Sequence, residues 1–100
     1  MTQYQTEGGP MERRQAVETF ANYMERELRK HDDRGTEGWR QCDPTWLLQR
    51  LREEVDELEQ AIQQKKRVVN EAADVGNFAM MIADNAADLY AGVYDQPRGR

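Results

Sequence analysis

The chain has 100 residues and a mass of 11.7 kDa, with 19 acidic against 14 basic side chains, a formal charge of -5, 38% hydrophobic residues and a mean hydropathy of -1.02. That length allows one domain, no apolar run approaches the roughly 20 residues of a membrane span, and a pI near 4.9 speaks against binding a nucleic-acid polymer. A lone cysteine, Cys42, and a lone histidine, His31, exclude an intramolecular disulfide framework, a multi-cysteine zinc site and His-rich metal sites.

Residues 1–10 read as a flexible polar tail without the apolar stretch of a secretory signal, so a cytoplasmic location is expected. Gly9-Pro10 is a stop before the helical domain, placed at 11–91, and 92–100 is a short C-terminal tail. The first helix is predicted from Met11 to about Lys30. Val17, Phe20, Ala21, Tyr23, Met24 and Leu28 fit one of its faces, and the Glu and Arg between them suit i,i+4 pairing. His31 to Asp43 reads as a loop, with Gly35 and Gly38 and no helical period. Trp39 stands in that loop without apolar neighbours. It either tucks onto the domain's own helices or offers a flat wall to a ligand ring.

Asp43-Pro44 is a helix start, a capping carboxylate followed by proline at the first helical position. The second helix is predicted to run to about Gln63 or Gln64. Leu48, Leu51, Val55, Leu58 and Ile62 recur on it at spacings of 3, 4, 3 and 4, a narrow coiled-coil-like seam. Gln63 to Arg67 is a polar, basic interruption. The third helix begins at Val68 and reaches about Tyr90 or Ala91. It is rich in Ala, and Gly76 inside it implies close approach of a neighbouring helix. So small a domain with so polar a composition has little core of its own, which points to helices shared with another copy.

The chemistry lies in the acids. The second helix carries Glu53, Glu54 and Glu57; the third carries Glu71 and Asp74. Glu54 and Glu57 are i,i+3 neighbours, as are Glu71 and Asp74. In an antiparallel hairpin the two pairs meet, and Glu54, Glu71 and Asp74 border the core rather than oppose it. Converging carboxylates repel in a partly desolvated site. A divalent cation removes that cost, and an all-oxygen set suits Mg²⁺ or Mn²⁺. Iron sites of the bundle type use Glu-x-x-His, which is missing here.

Glu54-x-x-Glu57, a spacer, and Glu71-Ala72-Ala73-Asp74, framed by Leu47-Leu48-x-x-Leu51 and by Leu58-x-x-Ala61-Ile62, resemble the signature of the MazG-like all-α nucleotide pyrophosphohydrolases. The resemblance covers roughly residues 25 to 85. It implies an all-α fold: an antiparallel helical hairpin plus an N-terminal helix, completing a four-helix-type bundle as a homodimer or homotetramer. It implies Mg²⁺-dependent hydrolysis of (d)NTP to (d)NMP and pyrophosphate. Carried over, Glu54, Glu57, Glu71 and Asp74 are the metal ligands. Glu53 would orient or deprotonate the attacking water, or help to hold a second ion. Lys65, Lys66 and Arg67 are candidates for phosphate, or a solvated basic patch. Asn77 would contact phosphate or sugar, or else a neighbouring helix. Trp39 is a base-stacking candidate, as is Trp46, for which a place in the core is the equal alternative. Some relatives carry a tyrosine at Phe78, and a phenylalanine cannot donate to phosphate. Two alternatives remain: phosphoribosyl-ATP pyrophosphohydrolase, which shares the acidic pattern, and a non-catalytic helical oligomerisation module.

Overall fold

The structure, a computed structural model, describes residues 11–32 and 36–90; the expected tails at 1–10 and 92–100 lie outside the described residues. Three helices follow in chain order: α1 (Gln15–Arg29), α2 (Pro44–Gln64) and α3 (Val68–Leu89). No strand occurs among the described residues, and no helix is long and apolar enough to cross a membrane. The helix order agrees with the periodicity. The start of α1 lies later than Met11, because Arg14 is extended and offers no side-chain cap.

The segment read as a loop differs. It contains a 3-10 helix, Thr36–Gln41. Its cause is tertiary: Trp39 Nε1 donates to Asp84 Oδ2 at 3.3 Å, and Asn85 Nδ2 donates to the carbonyls of Trp39 and Cys42 at 2.7 and 3.1 Å. These bonds tie the segment to the end of α3. A 3-10 turn has no 3.6-residue period, so periodicity does not reveal it.

The expected cap on α2 is present. Asp43 Oδ1 accepts from the Thr45 N–H and from the Thr45 hydroxyl, both at 2.8 Å, and these bonds hold its carboxyl below the usual range. At its other end α2 closes without glycine. Lys65 takes a left-handed φ of 57° and Arg67 one of 62°, and the Lys66 N–H reaches back to the Ala61 carbonyl at 3.0 Å. Side chains in that conformation are uncommon and cost about 1 kcal/mol each. They are what let a three-residue link, Lys65 to Arg67, reverse the chain.

The two helices therefore pack antiparallel, and Asn85 near the end of α3 bonds the chain just before α2 begins. α3 lies between α1 and α2 and contacts both. Leu47 and Ala61 of α2 and Ala73 of α3 are buried, with Leu47 only 1% exposed. The buried line on α2 is thus Leu47, Glu54 and Ala61, at heptad spacing. The expected seam is offset from it: Leu48, Val55 and Ile62 are 38%, 47% and 56% exposed, while Leu51 and Leu58 are half-buried. α3 covers one flank of the stripe and leaves the other bare.

α1 docks where α3 is thinnest. A Cβ at Gly76 would sit 2.8 Å from Phe20 Cε2 and 3.5 Å from Met24 Sδ. Asn77 Nδ2 adds a bond to the Met24 carbonyl at 3.0 Å. Gly76→Val is expected to push α1 off and cost about 2–3 kcal/mol, measured by urea unfolding. Lys65→Gly is expected to relieve left-handed strain by about 0.5–1 kcal/mol and raise Tm by a few degrees in a thermal melt.

Candidate functional site

The hairpin brings three of the four expected ligands together. Glu54, Glu71 and Asp74 each offer a carboxylate oxygen, and these oxygens lie within 4.8 Å of one another. Helical spacing explains the set. Glu54 falls on the buried line of α2, between Leu47 and Ala61, and Glu71 and Asp74 lie one turn apart on α3. Glu54 is 7% exposed. Its Oε1 and the Oε1 of Glu71 are buried and accept no hydrogen bond among the described residues.

Such a set is electrostatically unfavourable when empty. Burial, then repulsion from Glu57 and Asp74, push the Glu54 carboxyl above its ordinary range, against the opposing pull of Arg50. Burial, then Glu27 and Glu71, push Asp74 up likewise, against Lys30 and His31. An orphaned buried carboxylate oxygen costs about 1–3 kcal/mol. A divalent cation would satisfy it, and the three carboxylates are placed so that they could hold one.

Glu57 stands apart from the three. It is exposed and lines a cavity of about 530 Å³ with Lys66, Arg67 and Glu71. Glu53 is exposed too, and holds Arg50 Nη1 and Gln49 Nε2. Lys65 is exposed at the turn. Arg67 lies 3.6 Å from Glu71 Oε2. A second cavity, of about 320 Å³, lies on the Glu54 and Asp74 side of the cluster and is walled by Leu28, Trp46, Phe78 and Met81, with Glu27, His31, Arg50 and Asn77. Trp39 is not part of that wall: it packs on α3 through Asp84, with the Arg40 guanidinium 5.7 Å from its ring. Trp46 is the tryptophan at the cluster, 53% exposed. Asn77 is 3% exposed and binds α1, yet its Oδ1 is buried without a hydrogen-bond partner among the described residues.

Two residues at the site went unread in the sequence. Glu27 is 6% exposed and reaches from α1 to α3. Burial would raise its pKa, but bonds from Asn70 at 2.9 Å and Lys30 at 3.0 Å outweigh that and hold it low. Its signal was its place, seven residues after Phe20 and three after Met24, on the apolar face. Arg50 lies with its guanidinium 5.0 Å from the Phe78 ring and donates to Glu54 Oε2 at 3.3 Å. Its position four residues before Glu54 announces that pair.

Set against protein-family models, curated proteins and solved structures, the chain has no match.

The raised Glu54 and Asp74 carboxyls make a pH test. A raised folded-state pKa means that the folded chain loses stability as pH rises from the unfolded pKa through the folded one. At neutral pH without cations, Glu54→Gln is expected to be more stable than the parent by about 1 kcal/mol. The difference shrinks as pH falls through the raised folded-state pKa and is gone by the unfolded carboxyl value of about 4.3. Thermal melts across pH in chelator check both parts.

Proposed function

We propose that the chain is a Mg²⁺-dependent nucleoside triphosphate pyrophosphohydrolase that cleaves (d)NTP to (d)NMP and pyrophosphate. The observation that carries this reading is the meeting of Glu54, Glu71 and Asp74 with a buried, unpartnered oxygen on Glu54. Glu54, Glu71 and Asp74 would hold Mg²⁺, with Mn²⁺ as the alternative, and Glu57 would reach in as a fourth ligand from the Glu71 side. Bound there, the ion supplies neutralisation of the polyphosphate and activation of water.

The chain's own residues divide the remaining work. Glu53, beside Glu54 and on the solvent side, orients the attacking water and accepts its proton. The Trp46, Phe78 and Met81 wall gives a base an apolar seat next to the cluster. Lys66 and Arg67, across the cluster from that wall, donate charge-assisted hydrogen bonds to phosphate oxygens. The base and the phosphates thus lie on opposite sides of the carboxylates, with the scissile α–β link over them.

The enzyme would act in the cytoplasm on the nucleotide pool, as a homodimer or homotetramer. The bare stripe of Leu48, Val55 and Ile62 supports self-association, since a small domain leaves such a flank open only at a cost in solubility.

The test is release of pyrophosphate from a panel of (d)NTPs. Activity is expected with Mg²⁺, none in chelator, and a loss of about a hundredfold or more in the double variant Glu54→Gln, Glu71→Gln. A double variant as active as the parent contradicts the reading. Light scattering is expected to give a multiple of 11.7 kDa, and Val55→Glu is expected to lower it; a monomeric parent refutes the oligomer.

A further inference from the structure

The two central glutamates are held in the same way on the two helices. Arg50 precedes Glu54 by four residues and Arg67 precedes Glu71 by four. In each pair the arginine sits against Oε2, at 3.3 Å for Arg50, which Glu54 shares with Glu53, and at 3.6 Å for Arg67, and in each pair Oε1 is the buried oxygen without a hydrogen-bond partner among the described residues. One oxygen of each carboxylate is therefore covered by a guanidinium, and the other is left for a ligand. The two arginines also stand on opposite sides of the cluster: Arg50 lines the cavity with Trp46 and Phe78, and Arg67 lines the one with Glu57 and Lys66. Both keep solvent access, with side chains 33% and 56% exposed, so both can swing without unpacking the core.

A carboxylate can be neutralised by a guanidinium or by a dication, and the second makes the first redundant. A guanidinium released from a carboxylate fits a phosphate oxygen pair equally well, through its planar fork. We propose that Arg50 and Arg67 are exchangeable counter-ions of the acidic cluster. They neutralise Glu54 and Glu71 while the site is empty, and turn to the phosphate oxygens when a divalent cation and a polyphosphate enter together. This rests on the cluster being a cation site, as proposed above. It adds that bare cation binding and polyphosphate binding respond to the same substitution in opposite directions. A merely structural arginine cannot produce that pattern, because its loss weakens both.

The experiment is calorimetry on the full chain with two probes: Mn²⁺ alone, and inorganic triphosphate in excess Mg²⁺. In Arg50→Gln and in Arg67→Gln, Mn²⁺ is expected to bind about threefold more tightly, because a competing cation is gone, and triphosphate about tenfold more weakly. Arg50→Lys, which keeps the charge and loses the fork, is expected to bind Mn²⁺ like the parent and triphosphate between parent and Arg50→Gln. Circular dichroism confirms that each variant is helical, and Arg50→Lys carries the test if Arg50→Gln is not. Mn²⁺ affinity that fails to rise in the Gln variants overturns the counter-ion role, and triphosphate affinity that fails to fall overturns the hand-over. A parent that binds no Mn²⁺ removes the cation site and the exchange together. A parent that binds Mn²⁺, with variants that lose both ligands in parallel, removes the exchange alone.

Discussion

Burying like charges between two helices is the constraint around which this small domain is arranged. Glu54 sits on the same line of α2 as Leu47 and Ala61, so the apolar contacts that close the hairpin also force a carboxylate into it. The hairpin cannot relax by letting Glu54 out without rotating Leu47 and Ala61 out too. Apolar burial on either side, at about 25 cal/mol per Å², holds an arrangement that electrostatics alone would open. The cations on the rim, Arg50 on α2, Lys30 at the end of α1 and Arg67 just before α3, each pair with a carboxylate three or four residues away on the adjoining helix. Individually such pairs contribute little. Here they surround a set whose repulsion would otherwise be unshielded.

α3 makes this possible because it is slender. Gly76 lets α1 approach it closely, with Ala73 fully buried one turn away, and Asn70, Asn77 and Asn85 add polar ties that a fully apolar helix would lack. The asparagines bind backbone or carboxylate partners on α1 and on the segment before α2. They set the position of each neighbour along α3, which apolar contact alone would leave free to slide. The wall of Trp46, Phe78 and Met81 follows from that placement, since its residues come from two helices.

Much of this was legible in the chain. Asp43-Pro44 announced the start of α2, the Gly76 approach followed from a glycine inside a helical pattern, and the acidic pairs pointed to each other across a hairpin. The 3-10 helix at Thr36–Gln41 was not legible, because Asn85 and Asp84 create it from 45 residues away. The seam on α2 was read about one residue out of phase. Leu47 and Leu48 are adjacent and equally apolar, and only the side taken by α3 decides which of them is buried. Glu57 was grouped with Glu54 by spacing and by the resemblance, yet the roughly 60° between i,i+3 positions is enough to move it off the narrow buried line of α2 to the exposed Arg67 side. Glu27 escaped notice because an acid on an apolar face reads as an interruption until its partner, Asn70, is known.

The link between α2 and α3 has a meaning for how such a chain can vary. Lys65 and Arg67 both take left-handed backbone conformations, so three residues suffice to reverse direction. A link that short behaves as a rotational key. Each residue added to the start of α3 would turn Glu71 and Asp74 by about 100° about the helix axis and shift them 1.5 Å along it. Length changes elsewhere on the surface alter a loop; a change at this link would aim two carboxylates at solvent while leaving every helix intact.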